Sequence, residues 1–305
     1  MTPPLPVVCI FGPTAVGKTD LLVSLFPGKA EIISADSMQV YRGLDIGTAK
    51  PSPELRRQLP HHLIDIIEPS TQHTVGDFVR RADILVREIL GRGKVPIISG
   101  GTAFYIKTFL YGLPKTPPAS PDMRKQLQEE IREQGTEILY RELCDADPES
   151  GMKIAPGDAY RIIRAMEVIR QTGKPFSSFL PPEVPREEYS ALLIGLKLER
   201  EVLYERINRR VELMFESGLV REIKNLIAAG YSREDPGLRG IGYKEFFEME
   251  RNGCLSMDQV RERIQQNSRR YAKRQLTFFK SMNRVSWFHP DDIDGILSNV
   301  RDFPF

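Results

Sequence analysis

The residues best suited to do chemistry lie near the start of the chain, in Gly12-Pro13-Thr14-Ala15-Val16-Gly17-Lys18-Thr19. Glycine, four residues, glycine, lysine and a hydroxyl residue is the spacing of a phosphate-binding loop. The glycines let backbone N–H groups turn inward onto phosphate oxygens, and a following helix adds partial positive charge at its N-terminus. Lys18 supplies a mobile point charge, and the Thr19 hydroxyl is placed to ligate Mg²⁺. A bound di- or triphosphate is the first expectation.

Such a loop works only between a strand and a helix, and both are legible here. Val7–Phe11 is a short apolar, β-branched run, and Thr19–Leu25 continues as a helix. Glu31–Ser34 reads as a second strand ending at Asp36, and His62–Ile67 is a third apolar run. A helix is expected over Thr74–Leu90, with Thr74 as N-cap, Asp77 as its capping-box partner and Phe78, Ala82, Leu85 and Ile89 on one face. Val95–Ser99 is another strand, cut off by Gly100-Gly101-Thr102. The alternation predicts an α/β fold, a phosphate-loop NTPase-like parallel sheet flanked by helices, with ligands at the carboxyl ends of its strands. Asp36 and Thr102 both fall at such ends, so the sheet gathers them beside the loop.

After Leu113 the texture changes. Pro114, Pro117, Pro118 and Pro121 stiffen the connection, and three helical segments follow at 122–134, 136–144 and 158–172, the last closed by Gly173 and Pro175. Ala191–Leu198 is an apolar return to the sheet, helices dominate from Arg200 to Met282, and Val285–Phe288 is a last strand. The expected organisation is a core over 1–114 and 189–305, interrupted by an all-helical insertion over 115–188.

Composition narrows the function classes. A chain of 305 residues, 41% hydrophobic, buries a large core. Three cysteines, Cys9, Cys144 and Cys254, lie far apart in an odd count, which suits a reducing cytoplasm. No stretch approaches a membrane span or a leader sequence, so a soluble protein without a membrane partner is expected. The histidines show no metal-ligand spacing and are expected to be structural. The net charge of +2 hides a concentration of cations. Arg261, Arg263, Arg269, Arg270, Lys273, Arg274, Lys280 and Arg284 stand against Glu262, with Tyr271, Phe278 and Phe279 interleaved. That pattern suits a nucleic-acid backbone, or else a solvated face whose arginine stems cover apolar surface. Arg161 and Arg164, three apart on one helix, form either a second such contact or a surface salt-bridge set.

An ordered set of motifs carries a resemblance over nearly the whole chain. The phosphate loop, Ser34-Ala35-Asp36-Ser37-Met38-Gln39-Val40-Tyr41-Arg42, Asp45-Ile46-Gly47-Thr48-Ala49-Lys50-Pro51, His61–Asp65 and Gly100-Gly101-Thr102 resemble the tRNA dimethylallyltransferase family. So do Arg161–Val168, Gly173-Lys174-Pro175, Ile241-Gly242-Tyr243-Lys244-Glu245 and Tyr271-Ala272-Lys273-Arg274-Gln275. Without a Cys/His zinc-finger extension, the chain resembles the bacterial form. The resemblance implies transfer of a dimethylallyl group from dimethylallyl diphosphate to the exocyclic amine of adenine 37, next to the tRNA anticodon, by a monomer using Mg²⁺. It implies a donor site of Gly12, Thr14, Ala15, Val16, Gly17, Lys18 and Thr19, with Thr19 the metal ligand. It makes Asp36 the general base, Thr102 a neighbour of the reacting amine and Lys18 a stabiliser of the leaving diphosphate. Around the target base it places Asp36, Ser37, Met38 and Gln39, the last reading an adenine edge. The anticodon stem-loop would be held by Arg124, Arg161 and Arg164 of the insertion, by Arg239, Gly242, Tyr243 and Lys244, and by Lys273, Arg274, Gln275 and Lys280.

The residues alone leave other roles open: Asp36 as a Mg²⁺ ligand or helix cap, and Thr102 as a turn residue. Other functions stand beside transfer to tRNA. An adenylate isopentenyltransferase would act on free nucleotide, a phosphate-loop kinase would use ATP, and a non-catalytic RNA-binding module would use nucleotide as a switch. The helical insertion and basic C-terminal helix argue against a small acceptor, and donor choice separates the rest.

Overall fold

The structure, a computed structural model, describes residues 3–252 and 256–303, so Cys254 lies outside the described residues. Six strands form one sheet: β1 (Leu5–Phe11), β2 (Ala30–Ser34), β3 (His61–His62), β4 (Val95–Gly100), β5 (Tyr189–Leu196) and β6 (Ser286–Phe288). Their order is β3-β2-β4-β1-β5-β6 and every pairing is parallel. A parallel sheet covered on both faces needs continuous apolar strands rather than alternating ones. Accordingly, Val7 to Phe11 of central β1 are all 0% exposed. The expected fold class is the one observed.

Thirteen α-helices lie among the described residues. They are α1 (Lys18–Leu25), α2 (Pro53–Gln58), α3 (Val75–Gly91), α4 (Ala103–Tyr111), α5 (Pro121–Gln134), α6 (Thr136–Ala146), α7 (Pro148–Lys153), α8 (Ala159–Thr172), α9 (Arg200–Glu216), α10 (Leu219–Ala228), α11 (Lys244–Asn252), α12 (Met257–Lys280) and α13 (Ile293–Arg301). Thr74 caps α3 in a full capping box with Asp77. None of these helices is long and apolar enough to cross a membrane.

The chain divides into two compact units, Met1–Leu110 with Arg186–Phe305, and Tyr111–Pro185. In the first, α12 runs under the sheet, where Phe279 stacks on Phe11 with ring centroids 4.6 Å apart and Trp287 meets Phe11 edge-on at 6.4 Å. The second unit is helical, built on Leu127, Leu139, Leu143, Ile162 and Met166. Three of its four helices start at Ser120, Asp147 and Asp158 caps, two of these followed by proline, and α8 ends at Gly173 with φ 68°.

The apolar run His62–Ile67 departs from expectation. Only His61 and His62 pair with the sheet, and Leu63 and Asp65 take positive φ of 63° and 57°. The chain is pulled out of register by polar ties. Asp65 pairs with Lys50 and Arg56, while Ile66 and Ile67 donate their N–H groups to Val40 O. Helix α2 has no buried residue, so hydrophobic periodicity carries no trace of it.

Candidate active site

The phosphate loop leaves the end of β1 and passes directly over the end of β5. A Cβ on Gly12 would stand 2.7 Å from Leu196 O, so only glycine fits there. Two further backbone turns, at Ala15 (φ 63°) and Gly17 (φ 102°), bring the chain into α1. Lys18 Nζ donates to Gly12 O at 2.9 Å and Pro13 O at 2.8 Å. Burial lowers the Lys18 pKa to about 7, Arg210 adds to that, and Asp36 opposes it. The ammonium is therefore parked on loop carbonyls at the margin of its charge.

Asp36 follows β2, facing the loop. Its Oδ1 accepts the N–H groups of Met38 at 2.8 Å and Gln39 at 3.2 Å. Among the described residues no hydrogen bond reaches Oδ2. One carboxylate oxygen holds a turn and the other is left to the cavity. Thr102, after β4, takes the Ser37 N–H on Oγ1 at 3.0 Å and gives its own N–H to Ala35 O at 3.0 Å. The loops after β2 and β4 touch there: a Cβ on Gly100 would meet Ala35 O at 2.1 Å. Tyr271 of α12 stands beside Thr102 and Asp36, and burial raises its phenol to about 12. That hydroxyl therefore keeps its proton at neutral pH.

Two cavities meet at these residues. One, about 570 Å³, is lined by the loop from Thr14 to Thr19, with Asp36, Arg206 and Arg210. The other, about 320 Å³, has apolar walls from Ile207, Val211, Met214 and Ile264, and takes in Ser37, Met38, Gly242 and Arg274. Thr14, Asp36, Arg210 and Tyr271 line both. The first suits a diphosphate, and the second a flat, largely apolar group with a polar edge. Asp36 lies at their junction.

The remaining expected residues divide into open and engaged groups. Gln39 lines the loop-side cavity, and its amide is taken up by Ser34, Thr48 O and Ala49 O. Gln275, 4% exposed, accepts from Thr14 N at 3.0 Å and donates to Gly101 O at 2.7 Å, clipping the phosphate loop to the loop after β4. Tyr243 is fully buried, beneath Gly47, and donates to Glu222 Oε1 at 2.7 Å. Gly242 has φ 98° and gives its N–H to Glu245. Arg239 is largely exposed, and Lys244 lies with it along a smaller surface cavity. Lys273 and Lys280 are exposed on α12. In the helical unit, Arg124 and Arg164 converge on Glu167, whereas Arg161 turns outward beside Asp158.

Sequence reading missed Arg210, which donates to Thr14 Oγ1 at 3.1 Å and Thr48 O at 3.3 Å. A signal existed. Leu203, Ile207 and Met214 are buried along one face of α9, and Arg210 takes the third place, i+7, in that i, i+4, i+7, i+11 series. A cation in an apolar stripe needs an anion or a carbonyl, and here it has a carbonyl, a hydroxyl and the field of Asp36.

A sequence model of one protein family, described as IPP transferase, matches residues 39–282. The tRNA dimethylallyltransferase of Geobacter sulfurreducens is 45% identical over 299 residues, 97% of this chain and 96% of that one. The Bacillus subtilis tRNA dimethylallyltransferase is 43% identical over 285 residues, 93% of this chain and 90% of its own. Among solved structures, the tRNA isopentenylpyrophosphate transferase of Bacillus halodurans superposes with a TM-score of 0.69 at 40% identity, covering 98% of this chain and 95% of that one. A eukaryotic dimethylallyltransferase acting on tRNA gives 0.78 at 27% identity, over 97% of this chain and 76% of its own. Matched over most of its length and by relatives this similar, the chain belongs to the IPP transferase family.

Proposed function

We propose that this protein transfers the dimethylallyl group of dimethylallyl diphosphate to the exocyclic amine of adenine 37 in the anticodon stem-loop of tRNA. The observation that carries this reading is the meeting, at Asp36, of a cavity lined by the phosphate loop and an apolar cavity. The diphosphate lies on the loop N–H groups with Lys18 and Arg210, and the target base, drawn from its stack, enters the second cavity. The allylic carbon–oxygen bond breaks and the amine nitrogen bonds to that carbon. The amine proton passes to Asp36 Oδ2, and diphosphate leaves. Lys18 moves from the loop carbonyls onto the leaving oxygens, where its charge opposes theirs. Thr102 and Tyr271 orient the amine, and Gln39 and Gln275 are positioning residues that fix the loops.

No group of three or more histidine, cysteine or acidic side chains that could hold a metal lies among the described residues. Thr19, on the wall of the loop-side cavity, and the diphosphate itself would hold a Mg²⁺, which would neutralise charge on the leaving group. Arg161 and the open cations of α12 hold the RNA backbone.

Incubation with dimethylallyl diphosphate, Mg²⁺ and unmodified tRNA, followed by nucleoside mass analysis, should reveal dimethylallyladenosine at position 37. Transfer to free adenosine monophosphate at a rate equal to that for tRNA would overturn the choice of acceptor. Phosphoryl transfer from ATP without prenyl transfer would overturn the reaction.

A further inference from the structure

A third cavity in the core unit, about 620 Å³, opens beside α12 and is lined by Arg270, Lys273, Arg274, Thr277, Phe278 and Ser281. Its floor is aromatic and its rim cationic. Phe278 is half-buried, and Lys107 of α4 stands over its ring, 5.7 Å from the centroid. Phe279, the next residue, is fully buried against Phe11, so the backbone beneath Phe278 is fixed by the core. Arg270 and Lys273 have no ion-pair partner among the described residues, in contrast to Arg261 and Arg263 two to three turns earlier on the same helix. Arg274 lines both this cavity and the apolar one assigned to the target base, so the two are neighbours across one side chain.

We infer that this cavity is a second base subsite, in which Phe278 stacks on a nucleobase directly flanking the target adenine, with Arg270 and Lys273 on its phosphates. An aromatic face among unpaired cations is the physical requirement for holding an unstacked base without reading its edge. Flipping one base weakens the stacking of its neighbours, and a platform for one neighbour holds the loop open. The inference rests on transfer to RNA. It adds a site for a base that is not itself modified.

The test uses the full chain and synthetic anticodon stem-loops. These carry the normal base, or an abasic nucleotide, at the position 5′ or 3′ of the target adenine. Phe278→Ala should raise KM for the intact stem-loop by about 10- to 100-fold, within the usual range for one base–aromatic stack. Phe278→Trp should restore it. With the abasic nucleotide at the stacked position, wild type and Phe278→Ala should have the same KM, while the other abasic RNA should still separate them. If Phe278→Ala costs the same on all three RNAs, or Phe278→Trp fails to rescue, Phe278 is not a stacking platform. Absence of transfer to any stem-loop by wild type would instead defeat the underlying RNA reading.

Discussion

In the helical unit, Arg124 and Arg164 converge on Glu167, whose side chain is 0% exposed. Arg164 spends its other nitrogen on Thr116 Oγ1 and Pro117 O. In the C-terminal half of α12, Arg270, Lys273 and Lys280 point outward with no ion pair among the described residues. Both regions look alike in sequence, as clusters of cations on a helix. A buried carboxylate turns one cluster into internal bracing, and the lack of one leaves the other free for an external anion. Arg161, with a side chain 68% exposed, is the exception among the three arginines of this unit expected to meet RNA. The same division runs through the candidate active site, where Gln275 is consumed by two loops and Asp36 keeps one oxygen free.

The largest effect should come from that free oxygen. Asp36→Asn keeps the turn, because the amide oxygen still accepts from Met38 and Gln39, but it removes the proposed proton acceptor. Single-turnover transfer at saturating donor and tRNA should fall by about 10²–10⁴, with both affinities near normal. Weaker donor binding rescued by raised Mg²⁺ would make Asp36 a metal ligand instead. Near-normal transfer would leave it only the turn.

Lys18 comes next. Lys18→Ala should lower kcat by about 10²–10³ and leave tRNA affinity intact; equal turnover would sink the assignment. With its pKa lowered to about 7 in the free protein, Lys18 is mostly neutral at pH 8, and a bound diphosphate raises that pKa again. Donor binding at pH 8 should therefore take up close to one proton, read by calorimetry in buffers of different ionisation enthalpy. Affinity should weaken as pH rises from 7 toward the bound-state pKa. Lys18→Ala should abolish the uptake.

Glu167 tests the bracing directly. Burial opposes its charge, but Arg164, the Ser120 N–H and Arg124 outweigh that and hold its pKa below the ordinary value. The contribution is present above the unfolded carboxylate range and is lost as pH falls through the depressed folded value. Glu167→Gln leaves two guanidiniums with no counter-charge and should destabilise the helical unit by roughly 3 kcal/mol. Hydrogen exchange should localise the loss to 111–185. A variant as stable as wild type would mean the arginines need no brace.

The sequence carried most of the core and only part of the site, for physical reasons. The phosphate loop, β1 and α3 were legible because spacing, periodicity and caps all agree there. His62–Ile67 misled because its apolar residues fill space under a loop, and ion pairs at Asp65 decide the path. The roles of Gln275 and Tyr243 depend on partners 174 and 21 positions away, and no local pattern encodes those. Arg164 and Glu167 were both visible, but nothing in their spacing reveals that Glu167 is buried.

The smallest effect is the one that separates the two regions most cleanly. Arg270→Ala with Lys273→Ala removes two open charges, so the dependence of log K for tRNA on log salt should flatten by about one unit for each phosphate left without its cation. At fixed moderate salt that weakens affinity roughly tenfold, while kcat at saturating tRNA holds. Arg124→Ala should leave the slope unchanged, because its guanidinium is already turned inward to Glu167. Its cost should appear in stability instead. Arg161→Ala should flatten the slope by up to about one unit, since its pairing with Asp158, at 3.4 Å on the surface, holds it weakly. Filter binding of one tRNA at several salt concentrations, over all three variants, decides the matter. If Arg124→Ala flattens the slope as much as the α12 pair does, burial of Glu167 does not remove its partners from RNA binding, and the contrast between the two helical surfaces fails.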